Sequence, residues 1–447
     1  MKIAIVGAGI SGLGCAHALS KIPEIDLTIY EGGSHIGGHS NTVDLTIDTA
    51  TGPITHGIDT GFLVFNERTY PRLIRLFEEL DVPVSKSEMS FSASIPQIGK
   101  KNIEWAGTSL DSLFAQRKNL LKPSFLRMVA DVIRFNKLCT KVAIENKTDG
   151  LELSVGEFIQ KHQFSEAFRD WYFLPMVGAI WSCSVSQMLS FPISTMIRFC
   201  HNHGLIQITN RPQWLTVNGG SREYVNRIVK SINSNGGQFI RESVTNVSRK
   251  NDGIQISSKT STKNFDHVIF ATHSDQALKL ISDIHEQELG ILSSIKYQSN
   301  TVILHTDDKL LPENKKCWAA WNYTCSLANG SNAQQVCVNY LINKLQPLPL
   351  ALNDQAIIVS LNPVMEPARN KIHTEIQYSH PIFDQAAVEA QANLSLIQGH
   401  RNTWFCGAWT GYGFHEDGLR SGELVAEAIS EIIHRPIHND LKPYELS

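Results

Sequence analysis

Ile3–Val6 is a short, fully apolar run, the pattern of a strand buried on both faces. Gly7-Ala8-Gly9-Ile10-Ser11-Gly12 follows it. Leu13–Leu19 then carries helical spacing with the small residues Gly14, Ala16 and Ala18. Pro23 ends that helix region, and Asp26–Tyr30 predicts a second strand with Glu31 at its end. Further on, the pattern predicts a helix from about Thr69 to Leu80 and a mostly helical stretch from Asp111 to Arg211. Gly219-Gly220-Ser221 opens a helix from Arg222 to Ile232. Strand-like runs occur at Gln238–Ile240, Ile254–Ser257 and His267–Phe270, and alternating ones at Ser299–His305, Val336–Ile342 and Ala356–Leu361. Thr403–Cys406 predicts a last strand, followed by a Gly-rich loop and a final helix from Gly418 to Ile433.

Composition narrows the class. The 447 residues are 42% hydrophobic and 19% charged, which suits a folded globular chain. The formal net charge of −3 gives no global attraction to nucleic acid, so no nucleic-acid partner is expected. None of the eight cysteines forms a C-x-x-C pair or a Cys/His run with zinc spacing, so no metal site is expected. Scattered cysteines in a long chain read as reduced and intracellular. A strand opens the sequence where a signal peptide would place a charged and then an apolar region. No apolar run reaches the roughly 18 residues of a membrane span. The expected location is cytoplasmic.

The first 31 residues carry a specific chemistry. In Gly7-x-Gly9-x-x-Gly12 the first glycine permits the strand-to-helix turn, the second lets backbone approach a pyrophosphate, and the third lets helix pack on strand. The helix N-terminus offers free N–H groups to phosphate. Glu31 lies 19 residues past Gly12, where a carboxylate accepts hydrogen bonds from ribose hydroxyls. Glu rather than Arg at that point disfavours a 2′-phosphate, hence NADP. An NAD dehydrogenase and a flavoprotein both remain open on these residues.

Later segments favour the flavoprotein. Gly37-Gly38-His39-Ser40-Asn41-Thr42, Trp214–Ser221 with its Gly219-Gly220 pair, Glu242–Val247, Phe265–Thr272, Phe405-Cys406-Gly407-Ala408-Trp409 and Glu416–Gly422 resemble the flavin amine oxidase, protoporphyrinogen oxidase and carotenoid desaturase superfamily. Asp59–Asn66 and Gly411–Gly418 resemble a group of predicted NAD/FAD-binding proteins within it, related to the N-terminal half of plant cyclopropane-fatty-acid synthases. The family's Arg after the Gly37-Gly38 pair is His39 here. The resemblance implies FAD, a Rossmann-like FAD-binding domain of α/β class and an inserted α+β substrate domain. The nucleotide segments lie at both ends and in the middle, so the FAD domain is expected over 1–80, 212–275 and 400–435, and the substrate domain over 81–211 and 276–399. The implied cofactor-binding positions are Gly7, Gly9, Ile10, Ser11, Gly12, Glu31, Gly32, Gly37, Gly38, His39, Gly61, Val244, Gly407, Ala408, Asp417, Gly418 and Leu419. The helix N-terminus near Gly418 and Leu419 is expected to face the pyrimidine end of the isoalloxazine.

The resemblance further implies two-electron oxidation, desaturation or isomerisation of an apolar substrate, a fatty-acyl chain or another lipid. A flavin-free lipid carrier and an amine oxidase use the same fold. Flavin chemistry demands little of side chains beyond positioning and exclusion of water. The catalytic candidates are Tyr412 and His415, in the loop before the last helix, and His415 is an acid/base near neutral pH. His56 and Asp59 lie in the approach to the ring. Pro175–Trp181 is an apolar run suited to a pocket wall or to core. Cys406 reads as a small buried residue. Between Phe114 and Val142 seven bases face a single acid, Asp131, with Leu, Phe, Val and Ile interleaved. A basic amphipathic stretch of this kind suits peripheral contact with an anionic membrane.

Overall fold

The computed structural model describes residues 1–434 apart from 51, 146–152, 182–184, 208–210, 251–252 and 327–334. Cys183 and residue 435, the expected end of the nucleotide domain, lie outside the described residues.

Five strands form a parallel sheet: β1 (Lys2–Val6), β2 (Asp26–Tyr30), β3 (Gln238–Ile240), β4 (His267–Phe270) and β5 (Thr403–Phe405), in the order β3-β2-β1-β4-β5. Ile3, Ala4 and Ile5 are fully buried, as the apolar run requires. Val6 aligns with Tyr30 on one side and Phe270 on the other. Phe270 in turn aligns with Phe405. The Gly7 turn, Glu31, Ala271 and Cys406 therefore leave the sheet at one common edge, the carboxyl edge where open α/β sheets bind ligands.

Helices α1 (Ile10–Leu19), α2 (Arg222–Ser234) and α3 (His415–His434) pack together against this sheet. The small residues of α1 have a packing reason. A Cβ on Gly14 would strike the Leu419 side chain, and one on Gly422 would overlap the Ser11 carbonyl oxygen. The α1–α3 contact is thus closer than any two Cβ-bearing faces permit. The last helix starts at His415, three residues before the expected Gly418.

A second sheet has seven strands, in the order Ile372–Ile382, Lys296–His305, Ile358–Leu361, Val336–Leu341, Trp321–Cys325, Phe91–Gln97 and Lys100–Ala106. All its pairs are antiparallel except Trp321–Cys325 with Phe91–Gln97. The helical stretch expected between Asp111 and Arg211 comprises Pro123–Ile144, Val155–Lys161, Leu174–Trp181, Val185–Ser190, Ile193–Asn202 and shorter turns. It buries Phe125, Phe135, Phe158, Phe173 and Phe199 in one cluster with Trp105 and Tyr323 of the sheet.

A two-stranded ribbon, Thr42–Thr49 with Gly52–Asp59, joins the two halves. Beside it Trp214–Val217 pairs with both Phe65–Asn66 and Val84–Ser87, which carries the Gly219-Gly220 turn to the ribbon. The chain is a mixed α/β fold with a parallel dinucleotide-type sheet. Among the described residues no helix is long and apolar enough to cross a membrane. The seven described cysteines are buried, and burial pushes the Cys406 thiol up to about 12.

Candidate functional site

The glycine turn is built for a close backbone approach. Gly7 has φ +105°, a left-handed geometry that favours glycine, and a Cβ there would sit 2.6 Å from the Ala271 carbonyl oxygen. A Cβ on Gly12 would overlap the Gly7 carbonyl oxygen. Gly9 and Gly37 bridge in parallel, with the Gly37 N–H donating to Ala8 O at 2.9 Å. Gly38 has φ +60°, and a Cβ there would lie 3.1 Å from Gly9 Cα. The two glycine segments thus form one bare backbone surface. Beside it α1 begins with Gly9 as an extended N-cap and no side-chain cap, so its first N–H groups remain free for an anion. Glu31 accepts the Ala8 N–H at 2.9 Å and the Gly33 N–H at 2.6 Å. These bonds fix the carboxylate and leave further lone pairs for hydroxyl donors.

From this surface a cavity of about 440 Å³ runs toward the helical region and the second sheet. Its near end is lined by Gly7, Gly9, Ile10, Ser11, Glu31, Gly38, Ala271, Thr272, Gly407 and Ala408. Its far end is lined by Phe62, Val64, Met89, Ile180, Phe199, Leu205, Trp214, Trp321, Tyr340, Leu361 and Phe414. Among the described residues the lining holds one carboxylate, Glu31, and no Asp, Lys or Arg.

Five histidines complete the wall, and burial keeps each of them neutral near pH 7. His39 lies well below its ordinary value, pushed by burial and by the neighbouring imidazoles, first His380. His203 and His380 are pushed by burial down to about 4 and His415 to about 3, and His273 is lowered by burial too. His39 stacks on Tyr378 at 4.8 Å and lies 5.2 Å from His380, while His273 stacks on Tyr297 at 4.3 Å. The His39 Nε2 is buried without a hydrogen-bond partner. Sequence reasoning missed His273, Tyr297, Tyr378 and His380. The usable signal was the period-two pattern Ile372, Thr374, Ile376, Tyr378, His380, which places the last two on one strand face.

His415 lines the cavity, stacked on Phe62 at 3.8 Å, and its Nε2 lies 2.8 Å from Ser40 Oγ. Ser40 in turn meets the Tyr224 hydroxyl. An imidazole held near 3 relays or accepts a proton but does not stand ready as imidazolium at neutral pH. Tyr412 also lines the cavity, 6.1 Å from Phe199, which stacks on Phe414 at 5.0 Å.

The Glu416-Asp417-Gly418 segment serves the fold around the cavity. Glu416 accepts the N–H groups of Arg72 and Leu73 at 2.9 and 3.0 Å, capping the helix Pro71–Glu79. Asp417 accepts the Phe414 N–H at 3.0 Å, fixing the loop that carries Tyr412 and Phe414, and burial lifts its carboxyl to about 6. A Cβ on Gly418 would lie 2.9 Å from Ile10 Cγ2 and Ser11 Oγ.

Comparison with known proteins decides the class. The family model described as flavin containing amine oxidoreductase matches residues 10–358. The chain belongs to this family. Its fold recurs in solved structures. Cyclohexylamine oxidase from Brevibacterium oxydans IH-35A shows 14% identity and a TM-score of 0.67, covering 97% of this chain and 99% of that one. The CLA-producing fatty acid isomerase from P. acnes shows 15% identity and a TM-score of 0.64, covering 96% and 98%. Wild-type putrescine oxidase bound to putrescine shows 13% identity and a TM-score of 0.63, covering 97% and 100%. No curated protein matches the sequence.

As a member of the flavin containing amine oxidoreductases, the chain is an FAD-dependent oxidoreductase. The residues present fit that cofactor: bare backbone at Gly9 and Gly38, the uncapped start of α1, Glu31 on the cavity wall, and an orphaned His39 nitrogen beside Gly38. Of the cofactor positions implied by sequence, Gly7, Gly9, Ile10, Ser11, Glu31, Gly37, Gly38, His39, Gly61, Gly407 and Ala408 line the cavity. Gly12, Gly32, Val244, Asp417, Gly418 and Leu419 do not. Gly12 sits against the Gly7 carbonyl, Gly32 against Ser243, and Leu419 is fully buried in the core against Gly14. Where Gly418 and Leu419 were expected to present a helix end to the isoalloxazine, they hold α3 against α1. The helix end that reaches the cavity is His415.

Proposed function

We propose that the enzyme oxidises, desaturates or isomerises a neutral apolar chain, the acyl part of a lipid whose head group stays outside the cavity. Bound FAD supplies a two-electron acceptor for a C–H hydride. The observation that carries the reading is the uncharged wall. An ammonium substrate in the far end would be desolvated with no carboxylate to meet it, because Glu31 stands at the nucleotide end. A free carboxylate would likewise find no Lys or Arg among the described lining residues. An acyl chain needs neither, and Phe62, Ile180, Phe199, Leu205 and Leu361 offer it apolar contact.

The chain's own residues would then bind, orient and dry the substrate. Tyr412, Phe414 and Phe199 form an aromatic wall held in place by Asp417. The sequence resemblance to relatives of cyclopropane-fatty-acid synthases supports the same substrate class. The test is mass spectrometry of a neutral acyl ester after incubation with the flavin-loaded enzyme. A product lacking two hydrogens, or of unchanged mass with a displaced double bond, is the expected result. Oxidation of primary amines with the ester untouched would overturn the reading in favour of an amine oxidase.

A further inference from the structure

We propose that a basic apolar surface on the helical region docks the protein on an anionic lipid bilayer. Among the described residues, seven of the thirteen exposed large hydrophobic side chains fall between 98 and 144: Ile98, Leu110, Leu120, Leu121, Leu126, Ile133 and Ile144. Within these seven the most exposed are Leu121 at 88% and Ile98 at 82%. An even scatter would place one or two there, so the clustering marks a surface rather than single exposed residues.

The elements that carry them meet. The turn Arg117–Leu121 is tied to the strand Lys100–Ala106 through Gln116, whose Nε2 donates to Asn102 O at 2.8 Å and whose Oε1 accepts the Glu104 N–H at 3.3 Å. Lys100 and Lys118 lie close enough to Lys122 to lower its pKa, alongside the larger effect of burial. The hairpin with Ile98 at its tip and the turn with Leu121 are thus neighbours, and Lys100, Lys101, Lys118 and Lys122 lie on or beside these two elements. Among the described residues none of these four has an ion-pair partner. The helix Pro123–Ile144 extends the surface. Leu126, Ile133 and Ile144 alternate on its outer side with Arg127, Arg134, Lys137 and Lys141.

Charge selects the occupant. Acids around this surface are buried or paired: Glu104 and Asp131 are buried, Asp131 is paired with Arg127 and Arg134, the exposed Asp111 with Arg117 and Lys316, and the exposed Glu145 with Lys141. What faces outward is apolar side chains among basic ones, of which Lys141 pairs with Glu145 and Lys122 lies over the Trp171 ring. That arrangement matches a bilayer whose anionic head groups meet the lysines while the leucines and isoleucines enter the acyl boundary. The proposal stands on surface residues only and does not depend on the substrate assigned to the cavity.

The test is sedimentation of the flavin-loaded protein with vesicles of phosphatidylcholine, with and without phosphatidylglycerol, at low and high salt. Binding is expected only with phosphatidylglycerol, and salt should weaken it. K118E and K122E should each lower partitioning about fivefold or more. L121S and I98S should lower it at unchanged flavin content, which reports an intact fold. Equal sedimentation without anionic lipid, or variants that bind like the parent, would overturn the proposal. So would a protein that ignores vesicles but dimerises through this surface, with L121S returning the mass to that of one chain.

Discussion

Asp59 accepts both the backbone N–H and the hydroxyl of Ser221, at 2.9 and 2.7 Å. The same carboxylate takes the Thr42 hydroxyl at 2.6 Å and the Gln346 amide at 3.2 Å. The ribbon and the segments at Ser221 and Gln346 therefore meet on one buried side chain that does not line the cavity. Asp59, in the approach to the ring by sequence, is the joint that locks the Gly219-Gly220 turn to the ribbon leading from Gly38.

That joint has a pH signature. Burial outweighs the four donors and raises Asp59 from 3.8 to about 6. The folded chain then holds a proton that the unfolded chain releases near 3.8, so this contribution is complete below that value and is lost as pH rises to about 6. Denaturant melts of Asp59→Asn should show a less stable protein at all pH values. The gap to the parent should narrow by about 3 kcal/mol between the two limits. A gap that is constant with pH would contradict the assignment.

Glycines divide into those the packing needs and those it does not. Gly12→Ala and Gly422→Ala force a methyl group into a backbone carbonyl and should cost about 1–3 kcal/mol or more. Gly290, on the helix Glu286–Ser294, has nothing within 4 Å of its missing Cβ, so Gly290→Ala should gain about 0.4–1 kcal/mol. Thermal melts of the three variants check the ordering.

Glu31→Ala should weaken FAD binding by about 1.5–3 kcal/mol, the worth of charge-assisted hydrogen bonds to a hydroxyl pair. Titration of the apoprotein followed by flavin fluorescence reads this directly. Unchanged affinity would remove Glu31 from the ribose site.

His415→Gln tests the other sequence candidate. With His415 held near 3, kcat/KM should show no limb from this residue between about pH 5 and 8, and the profiles of parent and variant should share one shape. Its magnitude should fall, because the contact with Ser40 is lost or altered. A limb near neutrality that vanishes in the variant would restore His415 as an acid/base.

Much of the nucleotide half was legible because its chemistry is local. A buried strand, three glycines, a helix and an acid within 31 residues leave few other arrangements. The cavity walls were less legible. Phe91–Gln97, Lys100–Ala106 and Trp321–Cys325 give no clean alternation, and they are strands because long-range pairing makes them so. The Glu416–Gly418 segment shows another limit. Sequence located it at the cofactor, but whether its side chains touch a ligand or cap neighbouring turns depends on α1 and the helix Pro71–Glu79, hundreds of residues away.

A far cavity end with no charged side chain among the described residues selects a neutral acyl chain for flavin chemistry. The most direct measurement is anaerobic bleaching of the oxidised-flavin bands in the visible spectrum of the purified enzyme. Neutral acyl lipids and primary amines would be added in parallel. Bleaching by the acyl lipid, or its double bond displaced without net bleaching, with no bleaching by the amines, is the predicted result. Bleaching by amines alone would contradict the account.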